Sequence, residues 1–345
     1  MVDVGIVGGS GYGGAELLRL LAAHPFAKVR VVAARTAAGG HVHEVFPHLR
    51  GAPGADLILV EPDPDALAAC DVVLLATPHA ASLALAPALV AAGARVVDLS
   101  GAYRLDAATF SDWYGDEHTA ADLAPAVYGL PELYRDQIAA AALVANPGCY
   151  PTAALLAMAP LAGHVDPASV VISGLSGTSG AGKGLRDDLH ASHAMGNAAA
   201  YGAPKHRHTP EIERIWGRLA GLDSAPPLTF TPHLVPMSRG QVVTVVATLG
   251  PDADGAAVED SYVAAYTDEP FVHVLPPGSW PSSGHTVGGN AAHIGVAFDP
   301  RTRRVTASCA LDNLVKGAAG QALQNANLLC GVEETAGLTA AGVYP

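Results

Sequence analysis

Over the first 150 residues, continuous apolar runs alternate with alanine- and leucine-rich helical stretches. Strand-length runs fall at 2–7, 29–34, 72–76, 95–99 and 143–145, and a helical pattern fills 15–21. Strands that lack an alternating polar face belong to a parallel sheet covered on both sides, so this half reads as successive βαβ units. Beyond Pro151 the pattern changes. Runs at 170–173, 228–233, 241–249, 292–298 and 304–310 are β-rich, with helical patterns chiefly at 210–219 and 256–267. This predicts an α+β region on a mixed or antiparallel sheet. A last helical pattern, 314–329, follows a strand and is assigned back to the first half. Residues 72–94 carry no charge, but Pro78, His79, Ser82 and Pro87 divide them into a buried strand, a loop and a helix rather than a membrane span.

The opening strand runs into Gly8-Gly9-Ser10-Gly11-Tyr12-Gly13-Gly14, and a helical pattern follows. Gly9, Gly11 and Gly14 satisfy G-x-G-x-x-G in the context that the dinucleotide fingerprint requires: strand, tight turn, helix N-terminus. The plain alternative is a glycine turn without a ligand. Arg35 and Thr36 follow the second strand, where an acidic residue would bind the ribose 2′-hydroxyl of NAD. A guanidinium there suits the 2′-phosphate of NADP, or is simply a solvated charge. The expected fold is therefore α/β: a Rossmann-type domain of residues 1–147 plus 312–345, and an α+β catalytic domain, 148–311, on a mixed sheet.

The apolar run 143–145 leads into Asn146-Pro147-Gly148-Cys149-Tyr150-Pro151-Thr152, with helical residues expected over 153–159. A cysteine at a strand-to-helix turn has N–H groups and the positive end of the helix dipole near its sulfur, which favours the nucleophilic thiolate. A buried structural thiol is the alternative. Thiolate beside nicotinamide suggests interconversion of an aldehyde and an activated acyl group through a thioester. That chemistry needs an acid or base. His206 and His208, flanking Arg207 at the head of a helical pattern, are the candidates.

Composition narrows the partners. The formal net charge of -13 excludes a basic footprint for nucleic acid. Cys70, Cys149, Cys309 and Cys330 have no metal-ligand spacing, so no metal is expected, and they read as reduced thiols of a cytoplasmic protein. The first strand begins at Val2 and carries Asp3, so no signal peptide is expected. The glycine-rich stretch 174–184 starts at a strand end and reads as an ordered loop. In it Ser176, Thr178 and Ser179 offer hydroxyls and N–H groups for an anion; Lys183 and Arg186 either serve a phosphate or are solvated.

Motifs spread almost end to end carry a family resemblance. They include Thr77-Pro78-His79, Asp98-Leu99-Ser100-Gly101-Ala102-Tyr103-Arg104-Leu105, Tyr128-Gly129-Leu130-Pro131-Glu132, the cysteine segment, His206-Arg207-His208-Thr209-Pro210-Glu211 and Asp312-Asn313-Leu314-Val315-Lys316-Gly317. With them the chain resembles the N-acetyl-gamma-glutamyl-phosphate reductases, relatives of aspartate-semialdehyde dehydrogenase. The resemblance implies NADPH-dependent reduction of N-acetyl-L-glutamyl 5-phosphate to the semialdehyde and phosphate, in L-arginine biosynthesis, by a homo-oligomer (dimer or tetramer) that uses neither nucleic acid nor membrane. It implies Cys149 as nucleophile and His208 as acid/base, with His206 second. NADP(H) falls to Gly9, Ser10, Gly11, Tyr12, Gly13, Arg35, Thr36, Pro78, Ser179, Gly180 and Asn313. Substrate falls to Arg104, Ser176, His206 and Glu211, with a surface salt bridge as the alternative for Arg104. The chain departs from the family's pattern at Gly101, where a larger residue is common, and at Thr77, where Leu is common. A related semialdehyde dehydrogenase, acting on aspartate semialdehyde or aminoadipyl phosphate, or a non-catalytic NADP-binding regulator are the competing readings.

Overall fold

The computed structural model describes residues 1–120 and 125–343. Contacts divide the described residues into two units, Met1–Gly148 with Ala318–Ala340, and Cys149–Gly317 with 341–343.

The first unit is built on β1 (Val2–Val7), β2 (Ala27–Ala33), β3 (Val72–Leu75), β4 (Arg95–Asp98), β5 (Val127–Tyr128) and β6 (Leu143–Ala145). They form one parallel sheet in the order β2-β1-β3-β4-β6-β5. All four residues of β3 are buried, as its unbroken apolar run requires of a strand covered on both faces. Helices α1 (Tyr12–Ala22) and α4 (Pro131–Ala139) pack on one face; α2 (His79–Ala91) and α3 (Ala107–Tyr114) seal the other with Leu83, Ala86, Leu89 and Phe110. The uncharged stretch 72–94 is thus β3 and α2. Among the described residues no helix is long and apolar enough to cross a membrane.

The second unit opens with α5 (Cys149–Met158). Every residue of α5 from Tyr150 to Met158 is buried, so its apolar character all round marks a core helix. Its last carbonyls, which no residue of the helix can reach, accept Tyr262 and Tyr266 hydroxyls at Ala157 and Leu156. There follow β7 (Val171–Ser176), β8 (Ala199–Ala200), α6 (Thr209–Leu219), β9 (Thr229–Leu234), β10 (Gln241–Thr248), α7 (Ala257–Tyr266), β11 (Val272–Val274), β12 (Ala292–Asp299) and β13 (Arg304–Leu311). The seven strands make a mixed sheet, β11-β12-β13-β10-β7-β9-β8. Strand β10 alternates strictly, burying Gln241, Val243, Val245 and Ala247 towards α5. The residues between, Val242, Thr244 and Val246, line up across the sheet with Leu175, Ser173 and Val171 and with Ala310, Ser308 and Thr306. That second face carries no charge in these rows, and Val171 and Leu175 are 49% and 38% exposed.

The C-terminal stretch differs from the single helix expected over 314–329. Val315–Ala319 is wound as a π-helix, and α8 (Gly320–Leu329) follows it and packs on α1 and α4 of the first unit. Residues 312–317, expected with the first domain, cluster with the second. The cause is Asp312, which accepts the N–H groups of Leu314, Val315 and Gly288 and pairs with Arg239.

Candidate active site

Helix α5 begins at Cys149 itself, four residues before the expected helical stretch. Pro151 does not prevent this, because the N–H it lacks is one of the first-turn groups that have no partner inside a helix. The side chain of Cys149 is half-buried at the positive end of α5. Two neighbours fix its position. Gln241, 0% exposed at the start of β10, donates Nε2–H to the Cys149 carbonyl at 2.9 Å. Gly317 lies so close that a Cβ there would stand 2.8 Å from the Cys149 Cβ. The other thiols are differently housed: burial pushes Cys70 and Cys330 up, and Cys309 is buried within β13.

The turn before Cys149 is anchored within the first unit. Asn325 of α8 donates to Asn146 Oδ1 and to the Gly129 carbonyl. Arg104, expected to meet a substrate anion or a surface partner, is 6% exposed and gives Nε to the Asn146 carbonyl and Nη2 to the Leu99 carbonyl, each at 2.8 Å. Those two donors hold backbone carbonyls, and at 6% exposure Arg104 is no surface salt bridge; its guanidinium carries further N–H groups besides these.

His208 is the residue just before α6, and its carbonyl accepts Ile212 N–H. Tyr150, next to the cysteine, packs its ring against His206 (5.9 Å between centroids), His208 (6.1 Å) and Phe230 (5.2 Å). The start of α5 and the start of α6 are therefore joined through one aromatic ring. His206 Nδ1 accepts the His208 N–H at 3.2 Å, which leaves the His206 ring proton on Nε2. Burial, and second the charge of Arg207, hold the His206 imidazole down to about 4. It is neutral at physiological pH. Glu211, 1% exposed, sits in the first turn of α6, where the helix dipole favours a carboxylate.

Three loops of the second unit converge. Thr178 and Ser179 donate backbone N–H groups to the Met237 and Ser238 carbonyls. Asn313 accepts Gly240 N–H on Oδ1 and donates to Ser179 Oγ at 3.0 Å. A side chain at Gly180 would meet Ser176 Oγ and Asn313 Nδ2, so Ser176, Ser179, Gly180 and Asn313 form one group. Lys183 and Arg186 lie outside it, exposed, with Arg186 forked onto Asp188.

In the first unit the glycine loop has the build of a phosphate cradle. A Cβ at Gly9 would strike Val32 at 2.3 Å, and one at Gly14 would strike the Gly8 carbonyl at 2.6 Å. Helix α1 starts with neither a side-chain cap nor an acidic residue in its first turn, leaving its N–H groups for an anion. Arg35 and Thr36 lie exposed just past β2, and Pro78 precedes α2. These residues fit a dinucleotide. The departure at Gly101 is compensated locally: a Cβ there would collide with the Tyr114 ring, which stacks on Phe110 in that space.

Comparison with known proteins decides the family. Residues 3–141 match the model of the semialdehyde dehydrogenase NAD binding domain, and residues 149–313 that of the semialdehyde dehydrogenase dimerisation domain. The N-acetyl-gamma-glutamyl-phosphate reductases of Symbiobacterium thermophilum and Alkalilimnicola ehrlichii are 49% and 48% identical to this chain, each alignment covering 100% of it and 99% and 100% of the relative. The chain belongs to the N-acetyl-gamma-glutamyl-phosphate reductase family. Its fold is that of solved aspartate semialdehyde dehydrogenases. The Vibrio cholerae enzyme II superposes with a TM-score of 0.72 at 18% identity, covering 96% of this chain and 98% of that one. The Candida albicans enzyme, solved with NADP, gives 0.69 at 16%, covering 96% and 98%. In family terms the unit with the glycine loop is the NAD(P)-binding domain of an oxidoreductase, and the unit that begins at Cys149 is the dimerisation domain.

Gln241 and Asn325 lie outside the motifs read from the sequence, and Asn146 and Gly317 stand within them without an assigned role. Gln241 left a signal: it is a polar residue at a buried position of an otherwise apolar alternation.

Proposed function

We propose that this protein reduces N-acetyl-L-glutamyl 5-phosphate with NADPH to N-acetyl-L-glutamate 5-semialdehyde and phosphate, reversibly, in the cytoplasm, as a step of L-arginine biosynthesis. The observation that carries the reading is Cys149 at the head of α5, with both imidazoles of the His-Arg-His motif packed on the adjoining Tyr150. The Cys149 thiolate attacks the acyl carbon; the C–S bond forms as the C–O bond breaks and phosphate leaves. NADPH, held at the glycine loop, would supply the hydride that reduces the thioester carbon. His208 holds a proton at the resulting oxygen and takes it back as the C–S bond breaks, releasing the aldehyde and restoring the thiolate. His206 and Glu211 are proposed to orient substrate, Ser176 to meet one of its anionic groups, and Ser179, Gly180 and Asn313 to contact the cofactor. The test is NADPH formation at its absorbance band from N-acetylglutamate semialdehyde, phosphate and NADP+. An equal or higher rate with aspartate semialdehyde would reassign the substrate.

Gly9 to Gly13 would hold the pyrophosphate, and Arg35 with Thr36 the 2′-phosphate that separates NADP from NAD. Arg35→Ala is then expected to weaken NADPH binding by roughly 1.5–3 kcal/mol, the range for hydrogen bonds to charged groups, and to leave NADH binding nearly unchanged. Equal losses for the two cofactors, measured by fluorescence titration, would give Arg35 a structural role only.

The face of the second sheet that carries Val242, Thr244 and Val246 is proposed to pair with a second copy of the chain. A charge at its centre should then prevent assembly, because burying an unpaired guanidinium costs several kcal/mol. Thr244, between Ser173 and Ser308 on that face, is the position to change. Light scattering after gel filtration should give an oligomer for the native chain and a monomer for Thr244→Arg. An unchanged mass for the variant would move the interface elsewhere.

A further inference from the structure

Thr77 follows β3 and stands beside the glycine loop: a Cβ at Gly8 would lie 3.4 Å from its methyl group. Its side chain is half-buried, and its Oγ1 is 2.8 Å from Ser82 Oγ. Ser82 Oγ in turn donates to Asp98 Oδ1 at 2.7 Å. Asp98 closes β4 at 0% exposure and also receives Ser100 N–H on Oδ1 and Ser100 Oγ–H on Oδ2. Ser100 Oγ accepts Ala102 N–H, which fits a hydroxyl whose own proton points to the carboxylate. Burial holds the Asp98 carboxyl above its ordinary range, and the Ser82 and Ser100 hydrogen bonds and the Arg104 charge oppose that shift only in part. The Ser82 and Ser100 hydroxyls and the Ser100 N–H converge on its two oxygens, and with Asp98 as a carboxylate all three donate to it.

The chain of contacts fixes where each proton goes. A hydroxyl has one proton to give. Ser82 gives its proton to Asp98, so towards Thr77 it can only accept, and the Thr77 proton must point inward to Ser82. What Thr77 presents outward is lone pairs alone. That surface cannot serve a phosphate, whose oxygens also only accept, but it matches an N–H or O–H.

Strand order says which part of the dinucleotide lies nearby. The pyrophosphate reading puts the phosphates at the head of α1, beyond β1, and Arg35 lies past β2 on one side of β1. Thr77 lies past β3, on the other side. A dinucleotide with its adenosine 2′-phosphate at Arg35 therefore extends its nicotinamide riboside half towards Thr77.

We propose that Thr77 is a cofactor-binding residue that accepts a hydrogen bond from the nicotinamide riboside half, through either a ribose hydroxyl or the carboxamide N–H. The proposal rests on the reading of the glycine loop as an NADP(H) site. The test is calorimetric titration of the full-length chain with NADP+, with 2′,5′-ADP, which lacks that half, and with the 3-acetylpyridine analogue, which lacks the carboxamide N–H. Thr77→Val keeps the branched shape and removes the oxygen; it should raise the NADP+ Kd roughly 3- to 10-fold, the worth of one neutral hydrogen bond, and leave 2′,5′-ADP unchanged. Thr77→Ser, which keeps the oxygen, should stay within about twofold of the native chain, as a retained hydrogen bond requires. A loss repeated in full with the acetylpyridine analogue identifies the ribose hydroxyl as the donor; no loss there identifies the carboxamide. Unchanged NADP+ affinity in Thr77→Val, or an equal loss for 2′,5′-ADP, overturns the proposal while the cofactor reading stands. Failure of the native chain to bind NADP+ at all overturns both.

Discussion

Cys149→Ser should abolish turnover and leave NADPH binding intact. The substitution replaces sulfur by oxygen at the head of α5, and a serine hydroxyl is un-ionised at neutral pH and a far weaker nucleophile than a thiolate. Removing the nucleophile of a covalent mechanism costs on the order of 10⁴–10⁶ in kcat. The fold should not respond. The contacts that fix this position act on the backbone and the Cβ, namely the Gln241 hydrogen bond to the Cys149 carbonyl and the close approach of Gly317. The serine side chain fits the same space. Turnover of the semialdehyde by the variant, together with a fluorescence titration of NADPH, separates the outcomes. Activity within tenfold of the native chain would sink the thioester, and loss of NADPH binding would mean that the substitution had disturbed more than the sulfur.

The parts of this molecule that the sequence reveals are those governed by local rules. An unbroken apolar run has no way to sit at a solvent face, so β3 and its neighbours announced a parallel sheet. The glycine loop was legible because Gly8, Gly9 and Gly14 answer steric demands, as Val32 against Gly9 illustrates. The second sheet was legible as mixed or antiparallel because its β-rich runs follow one another with few helices between them. What stayed hidden depends on partners distant in the chain. Strand β5 has only two residues, paired to Val144 and Ala145, too few for any period to register. Helix α4 is interrupted at Tyr134, whose backbone is non-helical. The π-helical turn at Val315–Ala319 shares the apolar spacing of the α-helix after it, and it is tied down by Asp312 bonding to Arg239 and Gly288. Arg104 shows the same limit at the level of a site. A lone arginine after a strand reads as an anion ligand or a surface salt bridge, and only its distant carbonyl partners show that it also braces the turn that leads to Cys149.

The two imidazoles of the His-Arg-His motif should separate in a kinetic test, with His208→Ala losing the chemical step and His206→Ala largely keeping it. A group that carries protons near pH 7 needs a pKa near that pH. His206 fails this condition: burial and Arg207 hold it down to about 4, so it stays neutral through the working range and offers no acid. Its Nδ1 is also occupied by the His208 N–H, a bond that shapes the turn into α6. His208 heads that helix and packs on Tyr150, the neighbour of the nucleophile. Removing a positioned acid/base costs typically 10²–10⁴ in rate, and that is the loss expected for His208→Ala in single-turnover hydride transfer. For His206→Ala the expected signature is a higher KM or a lower Tm, with the hydride step within about tenfold of native, below the cost of losing an acid/base. Alkylation of Cys149 followed in parallel checks that the thiol remains accessible in both variants. A larger loss in the hydride step for His206→Ala would reverse the assignment and require His206 to titrate well above about 4 once substrate is bound.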